Sequence, residues 1–146
     1  MQSNRSVPVD TVLPHIVYDD VAAAIDWLTR VFGFSEHYRY GDPTAPEGAQ
    51  MRFGNVYLML TRARPGRETP ARLGAFTQTL SLFVTNVDEN YEKIRRAGAK
   101  VVEELNETFY GERQFVVEDL AGHRWLFAQH ARDVSPEEWG AKLAGL

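Results

Sequence analysis

Apolar and polar positions along this chain change period twice, in the same order each time. From Thr11 the run TVLPHIVYD is β-branched and apolar, which predicts a strand over about 13–18, with Pro14 marking an edge or a bulge. Val21, Ala24, Ile25, Leu28 and Phe32 then recur at steps of three and four. That spacing predicts an amphipathic helix, with Asp19 or Asp20 placed to cap it and Gly33 to end it. Residues 34–40 alternate, with Phe34, Tyr38 and Tyr40 on one face and Ser35, His37 and Arg39 on the other, so a half-buried strand is expected. A loop over 42–48, holding Pro43 and Pro46, leads to two further strands, 49–53 and 55–61, turned at Gly54-Asn55.

Residues 62–75 carry Pro65, Gly66, Pro70 and Gly74 among four arginines and show neither period; they read as a linker. The first pattern then returns. A strand over 77–85 precedes a helix marked by Val87, Tyr91, Ile94 and Ala97, capped by Asn86 with Glu89 three residues on, and ended by Gly98. Strands follow at 100–105, at 114–118 with a short stretch near 108–109 leading in, and at 123–129. The last two are joined by Asp119-Leu120-Ala121-Gly122 as a hairpin. Ser135-Pro136-Glu137-Glu138 is a capping box with proline at the first helical position, predicting a C-terminal helix over 135–144. VYDDVAAAIDWLTRVFGF (17–34) also lies against FVTNVDENYEKIRRAGAK (83–100) with apolar positions, cap and terminal glycine in register. The fold class that follows is α+β: one βαβββ unit used twice, as module one (11–62) and module two (76–131), with the linker at 63–75.

Composition narrows the chemistry. At 146 residues, with 44% hydrophobic and 25% charged positions, a single ordinary domain with a real core is expected. The chain has no cysteine, which excludes disulfides, thiol catalysis and thiolate metal sites and suits a reducing compartment. No run of about 18 apolar residues occurs and MQSNRSVPVD lacks the apolar core of a secretory signal, so a soluble, cytoplasmic protein without a membrane partner is expected. The net charge of −4 argues against a nucleic-acid partner. No nucleophile elbow, phosphate loop, dinucleotide fingerprint or helical His-x-x-x-His is present.

The doubled βαβββ unit, the passage AIDWLTRVFGF, and YGERxxxxxDxxGHRWxFxxH followed by SPEE resemble the vicinal-oxygen-chelate superfamily of glyoxalase I, extradiol dioxygenases and bleomycin-resistance proteins. The closing hairpin is most similar to its small bacterial glyoxalase/bleomycin-resistance-like members. The resemblance runs from about Leu13 to the C-terminus; one departure is Leu120, where relatives usually have proline. It implies a curled mixed sheet with an open cleft, helices on the outer face, and a homodimer. It also implies four metal-ligand positions, which fall here on Leu13, Met59, Thr79 and Leu126. Leucine offers no donor, and methionine and threonine are poor partners for the divalent cations concerned. The reading is therefore of no metal and no cofactor.

Shifts of two residues keep a side chain on its face, and among such neighbours His15 alone is a good ligand. It is the best candidate for a catalytic or ligand-binding group, against a histidine packed at a sheet edge. Tyr57, Met59, Thr79 and Ser81 share the expected cleft face and suit a small organic or aromatic ligand. Arg113 is a candidate for the cleft mouth, against a surface ion pair with Glu112 or Glu118. Arg124 has the parity of Leu126, making it either an anion-binding group or the partner of an inward acid such as Glu118. His37 and His130 are expected to be exposed, and His123 to serve the turn. The arginine linker reads as a solvated segment or as a steering surface for anions. A protein that binds a small molecule without metal is the first expectation. A metal-dependent lyase, isomerase or dioxygenase using His15 is the alternative, and a structural homodimer with an unused cleft the third.

Overall fold

The computed structural model describes residues 2–145. The chain divides between Ala75 and Phe76 into two compact units, and each holds one βαβββ module built on its own four-stranded mixed sheet.

In unit one, strands β1 (His15–Tyr18), β2 (Ser35–Asp42), β3 (Ala45–Phe53) and β4 (Val56–Arg62) lie in the order β1-β4-β3-β2, with β1 parallel to β4 and the other pairs antiparallel. Helix α1 (Val21–Trp27) crosses from β1 toward β2 and continues as one π-helical turn, Leu28–Phe32. The Asp20 carboxylate caps it by accepting from Ala23 N, and Gly33 closes it. The wider last turn turns Leu28, Val31 and Phe32 inward together, and they bury with Ile16, Tyr18, Met51, Leu58 and Leu60 on the helix-covered face of the sheet. That apolar burial is the main stabilising term of the unit.

Three expectations need correction here. The 42–48 loop is only the turn Pro43-Thr44, because Asp42 Oδ1 accepts from the Thr44 amide and hydroxyl and lets β3 begin at Ala45. The alternation of 34–40 is broken by a β-bulge between Glu36 and Tyr38, so His37 joins Tyr38 on the face away from α1 while Phe34 is buried. The linker is not featureless: Arg64 and Arg67 exchange backbone hydrogen bonds across Pro65-Gly66, and Pro70–Leu73 form a short helix, α2, capped by Thr69.

In unit two, β5 (Thr79–Phe83), β6 (Lys100–Glu107), β7 (Glu112–Glu118) and β8 (Arg124–His130) repeat the arrangement in the order β5-β8-β7-β6. Helix α3 (Val87–Arg96) has the expected cap, with Asn86 Oδ1 accepting from Glu89 N. Trp125, Phe127, Phe115 and Val117 bury on the helix side with Val87 and Ile94. The β7–β8 turn survives Leu120 because the buried Asp119 carboxylate accepts from Ala121 N, His123 N and Trp125 Nε1 at 2.9, 3.0 and 2.9 Å, tying the turn to the largest core side chain. The C-terminal helix expected to about 144 is shorter: a 3₁₀ turn, Pro136–Trp139, which Gly140 ends although the capping box is formed.

Candidate functional site

The register of unit one lines up side chains in rows across the face away from α1. His15 pairs with Met59, Met59 with Gln50, and Gln50 with Tyr38, so these four residues share one row. The bulge adds His37 to it. His37 Nδ1 lies 2.5 Å from Gln50 Oε1, and Gln50 Nε2 donates to Met59 Sδ at 3.5 Å. Tyr38 Oη donates to the Ser6 carbonyl at 3.0 Å and lies 3.9 Å from the same sulfur. The His37 ring meets the Tyr57 ring edge-on at 5.6 Å.

Gln50 is wholly buried and Met59 nearly so. A buried amide needs partners, and the bulge supplies one by re-aiming His37. With Gln50 Oε1 accepting, His37 Nδ1 is the donor of this contact, and Nε2 is left for another partner. His15 is exposed at the other end of the row, on edge strand β1. The face thus combines two imidazoles, two phenols, a thioether and a fixed amide: surfaces for stacking together with a few oriented polar atoms.

Unit two also places its candidates on the face away from its helix. Thr79, Arg124, Glu118 and Lys100 form one row, and Ser81 and Leu126 lie in the next. Arg124 is not a free cation. It lies 3.6 Å from Glu118, which also meets Lys100 at 3.3 Å, and its guanidinium stacks on Phe76 at 4.5 Å. Of the two readings of Arg124, the partner of an inward acid is what the geometry holds. Arg113 has the opposite parity. It turns to the helix side and pairs bidentately with Asp88 in the first turn of α3, at 3.0 and 2.7 Å, not with Glu112 or Glu118. Hydrogen bonding from Arg113 holds the Asp88 carboxyl below its ordinary range.

His15, Tyr57 and Met59 therefore share a face in unit one, as do Thr79, Ser81 and Arg124 in unit two. His37, Tyr38 and Gln50 were missed because a bulge leaves no mark in an alternating pattern. A second omission was countable. Glu118 pairs with Arg124 at the turn, and six residues further out Glu112 must face His130. Glu112 Oε1 indeed lies 2.7 Å from His130 Nδ1, with the ring against Phe83 at 4.9 Å.

The comparisons agree with this architecture. The family model described as "Glyoxalase/Bleomycin resistance protein/Dioxygenase superfamily" matches residues 9–127. The chain belongs to that superfamily. An uncharacterized protein of Mycobacterium bovis is 35% identical over 140 residues, covering 90% of both chains. The crystal structure of TioX from Micromonospora sp. ML1 superposes with a TM-score of 0.72 at 30% identity, covering 84% of this chain and 99% of that one. A glyoxalase/bleomycin resistance protein/dioxygenase from Alicyclobacillus acidocaldarius shares the fold at TM-score 0.67 and 15% identity, covering 84% and 92%.

Membership raises the question of a metal. The residues present do not fit one. Among the described residues no three His, Asp or Glu side chains converge, Met59 Sδ and Gln50 Oε1 already accept hydrogen bonds, and a divalent cation generally wants about three protein ligands. No helix is long and apolar enough to cross a membrane among the described residues.

Proposed function

We propose that this chain is a glyoxalase/bleomycin-resistance-like protein that binds a small organic molecule through the face of module one opposite α1, without metal. The observation that carries this reading is the fully buried Gln50 held between His37 and Met59 and flanked by Tyr38 and Tyr57. A merely structural sheet face has no need of a buried amide that fixes a bulged, exposed histidine, whereas recognition of an aromatic molecule uses a histidine so held to set orientation. His15 adds a donor or acceptor at the row's end; Thr79, Ser81 and Arg124 offer hydroxyls and a partly neutralised cation in module two. We place the protein in solution as a homodimer, following the superfamily resemblance.

The test is calorimetric titration of tag-free protein with a broad panel of aromatic and cationic drugs, with and without a chelator, beside elemental analysis after incubation with nickel, zinc, manganese and ferrous iron. The expected result is saturable binding that the chelator leaves unchanged. His37→Ala should weaken it about tenfold, the effect of losing one hydrogen bond of about 1.4 kcal/mol, and Gln50→Leu, which removes the acceptor that orients His37, should weaken it by about the same factor. Failure of every panel member to bind would count against the reading, and one metal per chain after reconstitution would overturn it and move it to the metal-dependent enzyme.

A further inference from the structure

Where β4 leaves the sheet, a cavity of about 350 Å³ is lined by Tyr40, Glu47, Thr61, Arg62, Arg64 and Arg67, together with Ala63. The four arginines of this stretch divide into two kinds. Arg62 pairs with Glu47 at 2.5 Å, and Arg72 with Asp19 at 3.0 Å. Arg64 and Arg67 have no carboxylate partner among the described residues, although both line the cavity. Glu47, the acid in the wall, is already taken by Arg62.

The two free guanidiniums are not independent surface groups. Arg64 N donates to Arg67 O at 3.0 Å and Arg67 N to Arg64 O at 2.8 Å, closing a tight turn over Pro65 and Gly66, whose φ of +85° suits glycine. Residues paired in this way present their side chains on one side, and like charges directly opposite each other destabilise the pair. A turn chemistry that enforces this repulsion is unexplained by folding alone. The remaining wall is polar as well. Tyr40, Gly48 and Thr61 form one cross-strand row, and a side chain at position 48 would collide with the Tyr40 hydroxyl, so glycine there is what lets the phenol lie across β3. The Thr61 hydroxyl is shielded from water and has no protein partner.

We propose that Arg64 and Arg67, with the Tyr40 hydroxyl beside them, bind a small doubly charged oxyanion of the phosphate-monoester type. Two guanidinium forks match a dianion that must be gripped through several oxygens, and bound charge removes the repulsion that the turn imposes. The Tyr40–Gly48–Thr61 row is two residues along the strands from the row of His37, Gln50 and Met59, about 7 Å away. On the reading of that row as a binding face, on which this second half rests, the dianion is the anionic end of an organic ligand whose ring lies over Tyr38.

The experiment is thermal unfolding of the full chain and of the double variant Arg64→Gln, Arg67→Gln, at constant ionic strength, with inorganic phosphate, phenyl phosphate or phenol added in place of chloride. Inorganic phosphate should raise the midpoint of the native chain saturably by a few degrees and leave that of the variant unchanged. The variant's midpoint in chloride should be no lower than the native one, since a repulsion has been removed. Phenyl phosphate should bind at least tenfold more tightly than either inorganic phosphate or phenol. Equal phosphate shifts in both proteins, or none beyond chloride, would overturn the oxyanion site. A phosphate shift specific to the native chain without extra affinity for phenyl phosphate would leave that site standing and overturn its link to the binding face.

Discussion

At the scale of single residues, what distinguishes this chain is where it uses side chains that a plain sheet would not choose. Gln50 occupies a wholly buried position in β3 between apolar neighbours, and its cost is met by His37 and Met59 rather than by water. Gly48, two residues before it, acts by having no side chain. A Cβ built there would land on the Tyr40 hydroxyl and within 2.7 Å of the Leu60 carbonyl oxygen. Tyr40 is partly exposed and can swing aside, but Leu60 O belongs to the β4 backbone and cannot. Gly48→Ala should therefore shift β3 against β4 and destabilise the protein by about 1–3 kcal/mol, the usual range for overpacking. Urea unfolding monitored by tryptophan fluorescence would read it; a loss below about 0.5 kcal/mol would mean that the strands absorb a methyl group without strain.

At the scale of elements, the bulge in β2 does the positioning, and it is held by an ion pair. On a regular strand Glu36 and Arg39 would point to opposite faces, since three is odd. The inserted His37 puts them on the same side, where Arg39 Nε and Nη2 donate to the two Glu36 carboxylate oxygens at 2.6 and 2.9 Å. Those hydrogen bonds hold the Glu36 carboxyl below its ordinary range. A lowered folded-state pKa adds stability that is present above the unfolded value, about 4.3, and is lost as pH falls through the folded one. Both side chains are about one-third exposed, so screening limits the pair to about 0.5–1 kcal/mol. Glu36→Gln should thus be less stable than the native chain by that amount at pH 7, and the two stability curves should converge below about pH 4. Parallel curves across that range would show that the pair does not hold the bulge. This element also marks the boundary of what the sequence made legible. Caps at Asp20 and Asn86, the Asp119 turn and the helix-ending Gly33 are local signals, each written within a few residues of where it acts. The bulge, the Gln50 network and the Arg113–Asp88 pair join residues 9 to 25 positions apart or depend on one extra residue in a strand, and periodicity carries no trace of either.

At the scale of the molecule, the duplication explains why the fold was readable while the site was not. Both modules keep the same strand order and the same apolar helix side, because each must bury a sheet face against its own helix. The faces opposite the helices carry no such constraint, and there the modules have diverged. Module one presents His15, His37, Gln50, Met59 and the phenols, whereas module two presents the charged row Lys100–Glu118–Arg124, with Glu118 between two cations. Family membership therefore transfers the scaffold and not the chemistry. The edges make a further demand. Within each unit the four-stranded sheet has two edge strands, β1 and β2 in one and β5 and β6 in the other, and exposed edges invite association unless blunted. β2 is blunted by its two register shifts and by the charged pair Glu36–Arg39, and β6 by its own two shifts and its acidic residues; β1 and β5 carry no register shift and are limited only by being four and five residues long, with Pro14 just ahead of β1. Association into the homodimer proposed here should involve these short parallel-paired strands. Light scattering coupled to size exclusion should then give twice the chain mass at micromolar concentration, and amide exchange should be slower on β1 and β5 in the dimer than at dilutions that dissociate it. A mass of one chain at all concentrations would sink the dimer, and a dimer whose protection changes only on β2 and β6 would place its contact on the blunted edges instead.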